Sequence, residues 1–322
     1  MLVRKVDGSL ALGAPPGSTL VVIGNFDGVH LGHRAVLEAS YAEAQARGLE
    51  LVVLTFDPHP SAVLGRGALP ALTTLERKLE LLGGLCPGLT VVVEPFTLEL
   101  SQRSPDAFAE EVLARALGAR VVVVGNNFRF GLARAGDLAT LERLGVTLGF
   151  EARAEALHGD AEGPYSSSRI RGALAAGDLA TTERLLGRPH SLSSTIVPGA
   201  GRGRTIGVPT ANLGAIPEAL PTYGVYAVVA DRIDADGPRV LARGVANVGV
   251  RPTLGAGFSV ETHFFDFDGN LYGERVRLHL CARLRDERRF DGIDALRAQI
   301  VRDLSEARAA VAKREPRGRA WY

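Results

Sequence analysis

Two histidines, His30 and His33, follow a glycine-rich turn and have a spacing that could support chemistry. The turn contains Gly24, Gly28 and Gly32, which lack side-chain bulk and tolerate positive φ, so the backbone can approach a ligand closely. If a helix begins just after the turn, the imidazoles and the free N–H groups of its first residues can converge on negatively charged oxygen. The pattern therefore predicts a phosphate site.

The elements on either side of this turn must hold it in place. Residues 20–23 are a continuous apolar run, which is typical of a strand buried on both faces of a parallel sheet. An alanine-rich stretch from about Arg34 to Arg47 has helical spacing, and Gly48 is a natural end for it. Surface histidines on a glycine-rich turn are the alternative, but the preceding buried strand and the Gly-Asn-Phe-Asp-Gly turn favour a functional site.

A second group of candidates follows the next predicted strand, residues 51–56. There the sequence Thr-Phe-Asp-Pro-His-Pro at residues 55–60 places Phe56 and His59 beside two prolines, which favour an extended loop. Ligands of open α/β sheets bind at the carboxyl ends of strands, where this loop would lie. A rigid loop without a ligand is an equally good interpretation of the spacing alone.

A third group follows residues 121–124, another predicted buried strand. The glycine-bounded turn at residues 125–131 contains Asn126 and Asn127, whose amides can bond a nucleotide. It also contains Phe130, whose ring can stack on a ring system. Turn asparagines and a core phenylalanine are the alternative interpretation.

A serine cluster, Ser166, Ser167 and Ser168, precedes an alanine-rich predicted helix. Hydroxyls at a helix N-terminus can form a phosphate cradle, and Arg171 adds a charge that can neutralise a leaving pyrophosphate. A simple serine cap would account for one of these hydroxyls but not for the whole cluster.

Strands and helices alternate through the first half of the chain. Helices are predicted at residues 74–82 and 104–117, with a strand at residues 91–93 between them. This alternation is typical of an α/β fold with a doubly wound parallel sheet. A last helix, residues 177–186, ends in a Gly-Arg-Pro turn that we take as the domain boundary. The predicted domains are residues 1–187 and residues 188–322.

The second half has a different texture, with short apolar or alternating runs separated by turns. This spacing predicts an antiparallel sheet closed into a small barrel. An amphipathic helix, residues 291–304, opened by Asp291 or Asp294, is expected to pack on the outside. The predicted strands are residues 225–230, 240–242, 244–250, 259–267 and 275–280.

Besides residues 244–253, two segments of this half carry candidate chemistry. A glycine-rich loop at residues 199–204 precedes Thr210 and Asn212, whose oxygens suit Mg²⁺ that keeps most of its waters and bridges phosphates. The loop does not match the Gly-x-x-x-x-Gly-Lys-Ser/Thr phosphate loop, and a flexible hairpin is its alternative interpretation.

The second of these segments is a predicted strand that contains Glu261. Strand alternation places Glu261 and His263 on one face and Thr262 and Phe264 on the other. A carboxylate that points into a barrel mouth could act as general base for a substrate hydroxyl. An exposed strand glutamate is the competing interpretation.

The composition limits the class of protein. At 322 residues the chain can form two domains with full cores, and 37 basic against 36 acidic residues indicate neither a nucleic-acid nor an anionic-membrane partner. Two cysteines, Cys86 and Cys281, argue against a disulfide framework and fit a reducing cytoplasm. No stretch approaches the roughly 20 apolar residues of a membrane span, so we expect a cytoplasmic protein.

Residues 24–33 resemble the nucleotide-binding signature of the nucleotidylyltransferase superfamily, and specifically that of the adenylyltransferase half of bacterial bifunctional riboflavin kinase/FAD synthetases. The resemblance implies that His30 and His33 stabilise the triphosphate during nucleotidyl transfer without a protein nucleophile, and that residues 55–60 lie beside the flavin. Residues 166–171 resemble a Ser-Ser-Thr-x-Ile-Arg motif of that family, with Ser168 in place of threonine. The implied nucleotide-binding residues are Gly24, Phe26, Asp27, Asn127, Ser167, Ser168 and Arg171, and the implied flavin-binding residues are Phe56, His59 and Phe130.

The second half resembles riboflavin kinase over nearly its full length, including residues 284–290 before the last helix. The resemblance implies that Gly203, Thr210 and Asn212 bind ATP, with Thr210 and Asn212 holding its Mg²⁺. It also implies that Glu261 deprotonates the 5′-hydroxyl of riboflavin. The departures from the family pattern are Val208 for phenylalanine, Ser194 for glycine, and Asn126 and Asn127 where an acidic residue is frequent.

Both halves indicate one bifunctional enzyme that phosphorylates riboflavin to FMN and adenylylates FMN to FAD. Its expected ligands are riboflavin, FMN, FAD, ATP and Mg²⁺, and a homo-oligomer is compatible with the sequence. A transferase that adenylylates another phosphate ester is the first rival, against which the kinase half argues. A flavin-binding regulator without catalysis is the second, and the retained histidines and glutamate argue against it.

Overall fold

The computed structural model describes residues 2–5, 13–65, 67, 69–199, 201, 203, 207–250 and 257–314. The chain divides into two compact units, the first formed by Met1–Leu69 and Leu75–Tyr165 and the second by Pro70–Thr74 and Ser166–Tyr322. The helices that precede the predicted boundary at residue 187 therefore group with the second unit, and that boundary stays a prediction. None of the helices in the described ranges has the length and hydropathy of a bilayer span.

The first unit is built on a parallel sheet with the strand order β1-β4-β3-β2-β5-β6, which confirms the predicted α/β class. Helices connect its strands, and a two-stranded antiparallel ribbon follows it. The strands are β1 Leu2–Lys5, β2 Thr19–Ile23, β3 Glu50–Asp57, β4 Thr90–Pro95, β5 Ala119–Gly125, β6 Glu151–Glu155, β7 Gly159–Asp160 and β8 Gly163–Pro164. The helices are α1 Leu31–Arg47, α2 Pro60–Val63, α3 Leu75–Leu85, α4 Leu98–Ser101, α5 Pro105–Ala107 with its π-helical continuation Phe108–Ala116, and α6 Leu138–Leu148.

The centre of this sheet is its most apolar part. All five residues of β2 are buried, and β2 lies between β3 and β5. One face packs on the π-helical segment and α6, while α1 contacts β2 and β3. Burial on both faces explains the continuous apolar runs, because a strand with no solvated face has no polar alternation.

Two local details of the first unit differ from the sequence expectations. Helix α1 begins at Leu31 instead of about Arg34, because the His30 side chain caps it. The loop expected to be extended after β3 instead contains the short helix α2, because proline at the first helical position is compatible with a helix start. The predicted ends of α1 and α5 are confirmed by the Gly48 cap, with φ of 65°, and by the Ser104 cap.

The second unit is a closed barrel with the strand order β10-β13-β12-β11-β14-β9, as predicted, and its described residues also form the helices α7, α8 and α9. Its strand pairs are antiparallel. The strands are β9 Ser191–Val197, β10 Ala211–Leu213, β11 Gly224–Asp234, β12 Gly237–Val250, β13 Phe258–Phe264 and β14 Arg275–Arg285. The helices are α7 Ser167–Ala176, α8 Leu179–Leu186 and α9 Ile293–Val311.

The cross-strand register separates the interior of the barrel from its outer face. Tyr226, Ala246 and Thr262 stand opposite one another across three strands, and all three are fully buried. The neighbours with the opposite orientation, such as Ala227 and Val229, pack against α9. Residues in register with Tyr226 therefore fill the interior, and those one position away face outward.

Three sequence expectations for the second unit were inaccurate. Residues 240–242 and 244–250, predicted as two strands, belong to the single strand β12, and β13 ends at Phe264 instead of residue 267. Helix α9 begins at Ile293 after Gly292, without the side-chain cap expected from Asp291 or Asp294.

Candidate functional site

The turn between β2 and α1 contains two non-glycine residues with unusual backbone conformation. Phe26 has φ of 49° and Val29 has φ of 39°, and the Val29 N–H donates to the Phe26 carbonyl at 3.1 Å. A β-branched residue at positive φ is an outlier that the surrounding structure must enforce. Such strain is frequent at ligand sites, so the turn is the first candidate site.

The two signature histidines form a fixed pair at the start of α1. The backbone N–H of His33 donates to Nδ1 of His30 at 3.3 Å, so His30 is the helix cap. The two rings are stacked, with centroids 3.6 Å apart and planes 14° from parallel. His30 is buried and His33 is half-buried. The pair is therefore preorganised at the positive end of a helix, as the sequence predicted.

The Phe26 ring packs against the His33 ring of this pair. Its ring is 3% exposed, and its centroid lies 5.1 Å from that of His33. A Cβ added at Gly24 would lie 3.1 Å from the same ring, so the glycine makes room for Phe26. The Phe26 ring therefore lies inside the protein, and the nucleotide contact implied for Phe26 stays a prediction.

A buried lysine that the sequence interpretation missed lies beneath the same turn. Lys78 Nζ is 3.5 Å from Thr55 Oγ1, which in turn donates to the Asn25 carbonyl at 3.3 Å. Burial lowers the pKa of Lys78, and the negative charges of Asp27 and Asp57 oppose that shift. Two features of the sequence could have drawn attention to Lys78. It is one of only three lysines in the sequence, and it lies next to an apolar stretch of a predicted helix.

The predicted flavin residues at the end of β3 have half-buried side chains. The Phe56 ring meets that of Phe96 edge to face at 5.8 Å between centroids. His59 caps α2, since its Nδ1 accepts from the Ser61 N–H at 3.2 Å and lies 2.8 Å from the Ser61 hydroxyl. Both residues stand at the carboxyl edge of the sheet, and their contact with a flavin stays a prediction.

The third predicted group, in the turn after β5, contains one buried and two exposed residues. Phe130 is 7% exposed and lies in the hydrophobic core, stacked on Phe128 at 5.4 Å and tilted against Phe108 at 5.6 Å. The predicted stacking of Phe130 on a flavin stays a prediction. Asn126 and Asn127 are exposed, so their amides remain accessible.

The serine cluster lies in the second unit, at the start of α7. Ser166 caps the helix, accepting from the Arg169 N–H at 3.2 Å. Arg171 Nε donates to the Pro70 carbonyl at 2.9 Å. One serine is thus a structural cap, as the alternative interpretation required. The roles predicted for Ser167, Ser168 and Arg171 remain predictions.

Glu261 lies between two asparagines on the outer face of the barrel. In the register, Asn212 of β10 stands opposite it on one side and Asn247 of β12 on the other. Thr262 and Phe264 are buried in the interior, as alternation predicted, whereas Glu261 and His263 are half-buried. The expectation that Glu261 points into a barrel mouth was wrong, because the interior face of β13 carries the apolar side chains.

Asn247 is a candidate residue that the sequence interpretation did not select. Its segment was recognised, but a pairing across β12 and β13 depends on register, which alternation within one strand does not give. An amide beside a carboxylate can orient it or bind the same substrate by hydrogen bonds.

The glycine-rich loop packs directly on the predicted nucleotide residues. A Cβ at Gly199 would overlap the Asn212 amide, and one at Gly203 would lie 3.2 Å from Thr210 Oγ1. The Val208 N–H donates to the Gly203 carbonyl at 2.9 Å. Residues 200, 202 and 204–206 lie outside the described residues.

The departure at Ser194 is accommodated by hydrogen bonds. Its hydroxyl donates to the Ala215 carbonyl at 2.9 Å and lies 3.3 Å from the Thr195 carbonyl. This position therefore does not require glycine here.

The donor set near the loop fits Mg²⁺ bound together with phosphate. Within the described ranges, no cluster of three or more histidine, cysteine or carboxylate side chains could hold a metal alone. Thr210 and Asn212 instead offer neutral oxygens beside the closely packed backbone of the two glycines. Mg²⁺ favours such sites because substrate phosphates and waters complete its coordination.

Comparisons with known proteins match both halves of the chain. The FAD synthetase family model matches residues 14–169, and the riboflavin kinase family model matches residues 186–311. The bifunctional riboflavin kinase/FMN adenylyltransferase of Escherichia coli K12 is 37% identical over 297 residues, covering 92% of this chain and 93% of its own. The Listeria monocytogenes protein of the same name is 36% identical over 301 residues, with 92% and 93% covered.

A solved structure also shares the fold. A crystal structure described as a macrolide-efflux protein from Streptococcus pneumoniae is 27% identical and covers 94% of this chain and 97% of its own, with a TM-score of 0.81. Its name describes that protein, and we do not transfer the activity.

The two matched models define a class of enzyme that makes flavin nucleotides, with an adenylyl-transferring α/β unit and a kinase barrel. The chain belongs to the bifunctional riboflavin kinase/FMN adenylyltransferase family. It phosphorylates riboflavin to FMN with ATP, and it adenylylates FMN to FAD with release of pyrophosphate.

Proposed function

We propose that His30 and His33 bind the triphosphate of ATP during adenylylation of FMN. The observation that carries the proposal is the stacked imidazole pair fixed at the N-terminus of α1. Donors held in place before the reaction stabilise developing charge without a reorganisation cost, which is the main source of rate in phosphate chemistry.

The proposed step needs no protein nucleophile. An oxygen of the FMN phosphate attacks the α-phosphorus of ATP, and the bond from that phosphorus to the bridging oxygen breaks. The electron pair leaves on pyrophosphate. We assign Ser167, Ser168 and Arg171 to the departing pyrophosphate, because hydroxyls at the start of α7 and a guanidinium three residues on suit an anion.

For the kinase reaction we propose Glu261 as the general base. Its carboxylate accepts the 5′-hydroxyl proton of riboflavin as that oxygen attacks the γ-phosphorus of ATP, and ADP leaves. Asn212 and Asn247 flank Glu261 in the register, and we assign them to orienting the reacting groups. Thr210 and Asn212 would hold Mg²⁺, which neutralises phosphate charge when bound.

Other parts of the proposal concern the flavin and the setting. Phe56 and His59 have accessible surface at the carboxyl edge of the first sheet, which suits an isoalloxazine ring. Asn127 is exposed and follows the end of β5 by two residues, and we assign it to the nucleotide. Two cysteines without a disulfide, both buried, support a reducing cytoplasm, and we assign no nucleic-acid partner.

The proposal for the histidines is tested by His33→Ala with ATP labelled at either the α- or the γ-phosphate. We expect FAD formation to fall by about 10²–10³, because one preorganised donor is lost. FMN formation from riboflavin should be unchanged. Normal transfer of the α-label to FAD would remove His33 from the mechanism. Glu38→Ala, on the exposed face of α1, is the matched control.

A further inference from the structure

Lys78 lies near the start of helix α3, at the edge of the first sheet where the strands have their carboxyl ends. Helix α3 links the parallel strands β3 and β4, so its N-terminus lies near the carboxyl ends of the strands. Lys78 is in the first turn of α3, and its Nζ reaches Thr55 Oγ1 near the end of β3. The ammonium is therefore close to the point where β3 meets the signature turn.

Three features make this lysine unfavourable as a purely structural residue. It is 7% exposed, and burial lowers its pKa. A cation in the first helical turn faces the positive end of the helix dipole. Within the described part of the chain its hydrogen bond is to Thr55 at 3.5 Å, a long contact for a group with three donors. Such costs are typical of residues kept for a ligand.

The neighbouring Arg77 shows how the same helix treats a structural cation. It is 1% exposed, but its guanidinium is paired with Glu80 at 2.9 Å. Lysine is also rare here, since Lys5, Lys78 and Lys313 are the only lysines among 37 basic residues. A compact ammonium places its charge on a single phosphate oxygen, whereas a guanidinium presents its donors as a wider planar fork.

We propose that the Lys78 ammonium binds the substrate phosphate that reacts between the signature turn and the end of β3. The group is either the FMN phosphate or the α-phosphate of ATP, which share one chemistry. On one side lie Asn25 and Asp27 of the turn, and on the other Thr55 and Asp57. The inference rests on the proposed placement of ATP at His30 and the flavin at Phe56.

The test compares Lys78→Met with Arg77→Met in the full-length enzyme. For Lys78→Met we expect FAD formation to fall, with the KM of FMN or of ATP raised about 10- to 100-fold, because a charged hydrogen bond is lost. The substrate whose KM rises identifies the phosphate. Riboflavin phosphorylation should be unchanged. Arg77→Met should lower the unfolding temperature but leave both KM values within about twofold of the parent.

Binding gives a readout independent of turnover. FMN alone or a non-hydrolysable ATP analogue alone should raise the unfolding temperature of the parent enzyme. One of these shifts should be lost in Lys78→Met and kept in Arg77→Met. Lys78→Arg should recover part of the binding, because it restores the charge in a wider group.

Two results would overturn the inference. One is Lys78→Met with both KM values and both thermal shifts unchanged. The other is an equal rise in KM in Lys78→Met and Arg77→Met, together with an equal fall in unfolding temperature. Lys78 would then be a structural countercharge. The His33→Ala variant separates this failure from that of the proposed site. If His33→Ala also makes FAD normally, the placement of ATP is wrong, whereas a defect in His33→Ala alone refutes only the role of Lys78.

Discussion

Glu261 shows how a single residue acquires a chemical setting from its cross-strand neighbours. Its side chain lies on the outer face of the barrel, with an asparagine opposite it on each side. The interior face of the same strand holds Thr262, fully buried. A carboxylate that is half-buried and flanked by amides remains reachable by a substrate, which a core position would prevent.

Glu261→Gln should retain riboflavin binding but lose phosphorylation by about 10²–10⁴, because the amide keeps the shape of the carboxylate and cannot accept the proton. FMN supplied from outside should still be converted to FAD at close to the normal rate. Both rates can be measured by product chromatography, and riboflavin binding by flavin fluorescence.

The matched control for this prediction is Glu274→Gln. It makes the same chemical change at a partly buried carboxylate of the second unit, where Glu274 pairs with Arg232 at 3.6 Å. Equal losses in the two variants would mean that Glu261 has no special role.

At the scale of elements, the glycine-rich loop packs closely on its neighbours because Gly199 and Gly203 have no side chains. The backbone at Gly199 lies against the Asn212 amide, and that at Gly203 lies against Val208 and Thr210. Adding a methyl group at Gly199 must therefore move a residue of the predicted nucleotide site.

Gly199→Ala should lower riboflavin phosphorylation by about 10²-fold, the cost of misplacing a reacting group by roughly an ångström. The KM of ATP in the kinase reaction should rise, while conversion of FMN to FAD stays near normal. Gly292→Ala is the control, because a Cβ there meets no atom within 4 Å. Kinase kinetics unaffected by the Gly199 methyl group would show that Asn212 does not contact the nucleotide.

The elements show which parts of the fold are readable from sequence. The β2 run and its signature turn are contiguous, so local patterns located both the strand and the histidines. Histidine is an infrequent helix cap, which is why the start of α1 was placed three residues late. Lys78 and Asn247 were missed for another reason, since their partners Thr55 and Glu261 are distant in sequence and are brought close by crossover and register.

At the scale of the whole molecule, the second unit depends on a buried neutral histidine. His190 Nε2 lies 2.8 Å from the Ala219 carbonyl, and burial lowers the pKa of His190 to about 4. The unfolded chain takes up a proton below about pH 6.5, while the folded unit does so only near the lower value. The fold is therefore favoured above about pH 6.5 and loses stability as the pH falls toward about 4.

We expect the free energy of unfolding of the second unit to decrease by on the order of 3 kcal/mol over this interval through His190. His190→Gln should flatten that part of the pH profile, measured by urea unfolding and circular dichroism. His263→Gln, a half-buried histidine on the barrel surface, should not. Parallel profiles for the parent and His190→Gln would exclude this residue as the cause.

The division into units gives a prediction for truncated chains. Residues 1–187 should still make FAD from FMN, because they contain both the histidine pair and the serine cluster. Residues 1–165 should not, because Ser167, Ser168 and Arg171 are missing. Product analysis, with circular dichroism to confirm folding, measures both. Equal activity of two folded fragments would remove the serine cluster from adenylylation.

The segment Pro70–Thr74 has a consequence for recombination between relatives. Its residue Ala71 bridges Glu218, and the Ala219 N–H donates to the Ala71 carbonyl at 2.7 Å, although the segment is encoded within the first half. In a chimaera with one crossover near residue 187, residues 70–74 would come from one parent and their partners Glu218 and Ala219 from the other. Hybrid enzymes should therefore assemble best when residues 70–74 come from the same parent as the barrel.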